Sequence, residues 1–118
     1  MAEIFSEIFK SPVTLDKNLR EMNFGECAGK TQEWQREKFV PPPLEDNRLD
    51  HRVFKDAESR RETGTRAYTF WHELLKKQDE NIIVITHGFM LTFLILAWMK
   101  IPVENMDYGN FLGGGRVV

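Results

Sequence analysis

Three consecutive residues, Thr86-His87-Gly88, stand where a β-branched run gives way to a long apolar stretch. The run Ile82 to Ile85 has no polar interruption and predicts a strand covered on both faces. Phe89 to Met99 is almost wholly apolar and too long for an ordinary strand, so it predicts a buried helix. His87 is thereby placed at the carboxyl end of a strand and beside the amino end of a helix, where open α/β sheets hold their ligands. Unpaired N–H groups and a partial positive charge at the helix end favour an anion such as phosphate. Gly88 lets a ligand approach the backbone closely. A histidine at a strand end also serves purely structural roles, and this motif alone leaves both readings open.

The elements that must hold this junction follow from the rest of the pattern. Ile4, Phe5, Ile8 and Phe9 share the spacing of one helical face within Ala2 to Phe9, and Ser11-Pro12 ends that helix. Val13 to Leu19 predicts a short edge strand or extended segment. Met22 to Gly29, with Gly25 and Gly29, predicts a loop. Thr31 offers an N-cap for a helix through Phe39, with Trp34 and Phe39 as buried positions, and Pro41-Pro42-Pro43 stops it. Leu44 to Lys55 is polar and unpatterned, a surface excursion. A long helix starts near Ser59, with Ala67, Phe70, Trp71, Leu74 and Leu75 on its apolar face. Gly64 within it marks a bend or a close packing contact. After Ile101-Pro102, the chain passes through Gly113-Gly114-Gly115 to Arg116-Val117-Val118, a strand beginning.

Composition narrows the function classes. A chain of 118 residues, 42% hydrophobic and 29% charged, has the means for one packed domain and too few residues for two. Its net charge of −2 supplies no broad footprint for nucleic acid, though a single phosphate needs only a few donors. Cys27 is the only cysteine, so an internal disulfide is excluded and a cysteine-based zinc site lacks its companions. No metal and no cofactor are expected. Glu3 and Glu7 lie among the first residues without a basic stretch before an apolar run, so no secretory signal is expected. The apolar part of Ile82 to Met99 is too short to cross a bilayer. Together these features predict a soluble cytoplasmic protein that engages neither membrane nor nucleic acid.

Three segments share an order and spacing with a known family. Leu19-Arg20-Glu21-Met22-Asn23-Phe24-Gly25, followed by Gly29-Lys30-Thr31, resembles a loop of the histidine phosphatase (phosphoglycerate-mutase-like) superfamily. Glu58-Ser59, with Arg66 seven residues after the serine, resembles that family's Gly-Glu-Ser helix start. Thr86-His87-Gly88 is similar to its second histidine motif, and Asn110 to Val118 to its closing glycine-rich turn and strand. The resemblance covers essentially the whole chain. It implies an α/β fold with a mostly parallel sheet flanked by helices. It also implies phosphomonoester hydrolysis or phosphoryl transfer through a phosphohistidine, with a small phosphorylated molecule or inorganic phosphate as ligand. On the same basis His87 is a donor to the phosphoryl oxygens, and the Gly88 and Phe89 N–H groups bind phosphate. Glu21 matches the general acid that protonates the leaving oxygen and later activates water.

Departures from the family pattern shape the expected activity. The family's nucleophile lies in an Arg-His-Gly motif on its first strand, and this sequence has no Arg-His-Gly. His51 lies in a polar excursion and His72 within a helix, neither in a nucleophile's context. The segment Met1 to Ile4 is similar to the tail of the helix after the family's second phosphate-binding arginine. The resemblance therefore implies a single, incomplete domain over residues 1–118, a truncated phosphoglycerate-mutase-like fold that begins after two strands. Cys27 and Ala28 stand where many members have Trp and Glu, and Ala57 where Gly is usual. Little or no activity is expected of the isolated chain. Three readings follow: an enzyme lacking its start, a non-catalytic remnant or binding module, and a chain completed by another. A missing central strand would expose the Ile82–Ile85 edge, and self-association into a homo-oligomer through that edge is expected.

Overall fold

The computed structural model describes residues 1–77, 81–107 and 109. Four α-helices follow one another in the order α1 (Ala2–Phe9), α2 (Gln32–Lys38), α3 (Arg60–Leu74) and α4 (Gly88–Trp98). Short 3-10 turns lie at Lys17–Leu19, Gly25–Cys27 and Val103–Asn105. The core forms where α3 packs against α4. Ala67 and Phe70 from α3 meet Met90, Phe93, Leu94, Leu96 and Ala97 from α4, with Met22, Leu49 and Met106 closing the edges.

Local chemistry explains the helix limits. Ser59 caps α3 by accepting from the Glu62 N–H at 3.3 Å, and the Glu62 carboxylate accepts from the Ser59 N–H at 2.7 Å, a reciprocal capping box. Thr31 caps α2 by accepting from the Trp34 N–H at 3.2 Å. Two α3 side chains fasten α4 and its exit: Trp71 Nε1 donates to the Leu94 carbonyl at 2.7 Å, and the Tyr68 hydroxyl to the Ile101 carbonyl at 2.6 Å. Gly64 is a close packing contact, because a Cβ there would lie 2.8 Å from the Met106 sulfur. Gly25 is required twice over. Its φ is +61°, and a Cβ would come within 2.2 Å of the Lys55 carbonyl oxygen.

The expected α/β architecture with a mostly parallel sheet is overturned, since the described residues contain no strand. Ile82 to Ile85 precede α4 outside any ladder, and Ile82 and Ile83 are exposed rather than covered on both faces. A β-branched run favours extended backbone, but a strand exists only where a second one pairs with it. Val13 to Leu19 is not that partner. Asp16 accepts from the Asn18 N–H at 2.8 Å and winds Lys17–Leu19 into a 3-10 turn. The strand expected at Arg116 to Val118, with Gly113 to Gly115 before it, lies outside the described residues.

Two smaller expectations also change. Phe39 is exposed and Trp34 half-buried, because α2 packs locally, through these two rings, on the buried Phe54. Leu75 is exposed because it falls at the C-cap of α3, past the face that meets α4.

Candidate functional site

The first amides of any α-helix have no carbonyl one turn back to receive them. In α4 the first intrahelical acceptor is the His87 carbonyl, which receives the Leu91 N–H at 2.8 Å. His87 is the N-cap residue, yet its ring makes no capping bond and the residue is exposed. The capping is done from 68 or 69 residues away in sequence. Glu21 Oε1 accepts from the Met90 N–H at 3.1 Å and from the Met22 N–H at 2.9 Å. Glu21 Oε2 lies a long 3.4 Å from the Phe89 nitrogen. A carboxylate here also meets the positive end of the helix dipole, a favourable placement.

His87 and Glu21 therefore belong to one helix terminus. Gly88 opens it to solvent, since a Cβ built there meets no atom within 4 Å. The Phe89 ring packs edge-on against Phe24, with centroids 5.6 Å apart. Thr86 fastens the two segments together by donating from its hydroxyl to the Leu19 carbonyl at 2.6 Å.

A buried ion pair on the other side of the loop completes the arrangement. Arg66 of α3, only 8% exposed, donates from Nε and Nη2 to the two oxygens of Glu58, each at 2.8 Å. Its Nη1 donates to the Asn18 and Arg20 carbonyls at 2.6 and 3.0 Å. Glu58 also accepts from the Asn23 N–H at 3.0 Å, and the Glu58 N–H donates to the Asn23 carbonyl at 2.7 Å. Burial raises the Glu58 carboxyl, but the Arg66 hydrogen bonds and the Asn23 N–H outweigh it and hold the group below the ordinary carboxylate range. Sequence reading recognised Glu58 and Arg66 as motif markers without giving them a part in the site. The available signal was an arginine one residue before Ala67, beside the apolar stripe of α3.

Next to this pair is an open cleft of about 320 Å³ lined by Arg20, Asn23, Arg52, Asp56, Glu58 and Glu62. Arg52 forks onto both Glu62 oxygens at 2.8 Å and also donates to the Ala57 carbonyl. That fork, followed by the Ser59 N–H, brings the Glu62 carboxyl down to about 2.

The other two histidines stand apart from these bonds. His51 Nε2 donates to the Val40 carbonyl at 2.8 Å, and His72 lies on α3 with its ring 6.0 Å from that of Tyr68. Among the described residues no cluster of His, Cys, Asp and Glu is arranged to hold a metal ion. No helix among them is long and apolar enough to cross a membrane.

Residues 1–113 match the family model of the histidine phosphatase superfamily (branch 1), and the chain belongs to that superfamily. A solved structure described as mycobacterial hydrolase 1 superposes with a TM-score of 0.60 at 22% identity, covering 96% of this chain. The chain spans 57% of the length of that structure, and the likeness concerns the fold alone. No curated protein matches the sequence.

Proposed function

We propose that the amino end of α4 is a phosphoryl site, with His87 donating to phosphoryl oxygens and the Gly88 and Phe89 N–H groups facing the same anion. Glu21 is the proton carrier of this site, giving a proton to the leaving oxygen of a small phosphomonoester and taking one from water afterwards. The observation that carries the reading is the Glu21 carboxylate held 3.1 Å from the Met90 nitrogen beside the exposed N-cap His87. An anionic side chain seated on those amides supports their capacity to receive an anion from solution.

The covalent step of such chemistry needs a nucleophilic histidine and cations on phosphorus. Neither His51 nor His72 is bonded to this terminus, and the sequence holds no Arg-His-Gly. The 118 residues alone therefore bind phosphate weakly and turn over phosphomonoesters slowly or not at all. A phosphatase assay on the purified chain with a generic phosphomonoester tests the catalytic part, and near-background hydrolysis is the expected result. Rapid hydrolysis abolished by His87→Ala would overturn it.

A second reading rests on separate observations. Helix α1 has no buried residue, and Ile4, Ile8, Ile82 and Ile83 are all exposed. Apolar surface of this kind favours association of two copies of the chain. Sedimentation of the purified chain across a concentration series tests this, and a monomer at every concentration removes it.

A further inference from the structure

The Arg66–Glu58 pair is an expensive way to pack one face of α3. A buried ion pair contributes no more, and often less, than apolar side chains of the same volume. Apolar side chains would do the packing but lack the donors that this guanidinium supplies. Beyond the two bonds to Glu58, Arg66 reaches the carbonyls of Asn18 and Arg20 and lies 3.4 Å from that of Glu21. Those carbonyls flank and include the backbone of residue 21. Thr86 holds the Leu19 carbonyl from the opposite side. The segment 18–21 is thus gripped at consecutive peptide groups by α3 and by the residue before His87.

From this geometry we infer that Arg66 is a positioning residue, holding the 18–21 backbone so that the Glu21 carboxylate meets the amides of α4. A shift of about 1 Å in that backbone is enough to break a bond of this kind, which is why a side chain acting at a terminus needs a rigid support. Glu58 completes the clamp by fixing the guanidinium and, through its paired bonds with Asn23, the far side of the same loop. The inference rests on the phosphoryl-site reading for the importance of Glu21, but not for the clamp itself.

Amide hydrogen exchange on the full chain measures the effect without any ligand. The Met90 N–H has no intrahelical acceptor and donates to Glu21, so its protection reports that bond. Arg66 Nη1 also lies 3.4 Å from the Met90 sulfur, and Met90→Leu with Arg66 intact measures the loss of that contact alone. Glu21→Ala sets the unprotected limit. Arg66→Lys keeps the charge but loses the planar fork, and it should speed Met90 exchange roughly tenfold, the loss of about one hydrogen bond. Glu58→Gln keeps the guanidinium but loosens its fork and removes its countercharge, and an intermediate rate is expected. Leu96→Ala destabilises α4 elsewhere and should leave the difference in protection between Met90 and Leu91 unchanged. Met90 protection at the wild-type level in a folded Arg66→Lys protein overturns the inference. Should that variant not fold, the same result in Glu58→Gln overturns it. Failure of inorganic phosphate to shift the Gly88 and Phe89 amides would remove the phosphoryl site and leave this result standing.

Discussion

Helices α1 and α4 both present apolar side chains, yet α4 buries Met90, Phe93, Leu94, Leu96 and Ala97 while α1 buries nothing. The rings of Phe5 and Phe9 in α1 stack on each other, 6.1 Å apart, instead of entering the core. Glu3, Ser6 and Glu7 give α1 a polar side that α4 lacks, but the apolar face α1 does have differs from α4 in what lies opposite. The α3 helix presents Ala67 and Phe70 to α4 and bonds to its backbone through Trp71. Among the described residues no helix packs on α1 in this way. An apolar face thus says that a surface is fit for burial, and a partner decides whether burial happens.

The largest expected effect comes from emptying the packed side of this comparison. Phe93 is fully buried, and Phe93→Ala should cost about 3–5 kcal/mol in denaturant unfolding. Ile8→Ala on α1 should change stability by less than about 0.5 kcal/mol, because it removes a side chain that is already solvated. Comparable losses at the two positions would show that α1 is buried in solution, and the contrast between the helices would fail.

Next in size is the ion pair that ties α3 to the Glu21 loop. Arg66→Met leaves Glu58 buried without its countercharge, at a cost of about 3 kcal/mol measured in the same way. The double variant Arg66→Met, Glu58→Leu should recover part of that loss, and no recovery would argue that the carbonyl bonds carry the energy instead.

A smaller effect follows pH. The Glu62 carboxyl lies at about 2 in the folded chain, below its ordinary value of 4.5, because Arg52 and then the Ser59 N–H favour its ionised form. Between those values the unfolded chain binds the extra proton, so this contribution is present above 4.5 and is lost as pH falls towards 2. Both partners are about half exposed, which limits the contribution to about 1 kcal/mol or less. Unfolding measured from about pH 6 down to about pH 3 should show a shallower decline in Glu62→Gln than in wild type. Identical slopes would remove the Arg52–Glu62 fork from the account.

Legibility in the sequence followed the range of the interactions involved. Caps act over short range, so the helix start near Ser59 and Thr31 before α2 are legible, as is the start of α4 next to His87, while the return bond from Glu62 to Ser59 is seen in the structure. Burial of Ile82 and Ile83 depends on a partner segment, and the β-branched pattern carries no information about whether one is present. The same applies to Phe39, whose exposure follows from the local docking of α2 on Phe54. The motifs point to His87, Gly88, Phe89 and Glu21 as candidates, and the structure brings His87 and Glu21 to one helix terminus. The clamp escaped because Arg66 reaches carbonyls 46 and 48 residues away, and no periodicity encodes such a bond.

On the proposed function, the helix terminus shared by His87 and Glu21 receives a phosphoryl anion. A two-dimensional amide NMR titration of the full chain with inorganic phosphate tests it most directly. Saturable shifts are expected, concentrated at His87, Gly88, Phe89 and Met90, with the response weakened in His87→Ala and strengthened in Glu21→Gln, which removes the resident negative charge from those amides. Shifts scattered over Arg36, Lys38 and other exposed cations, with α4's first turn unmoved, would contradict it.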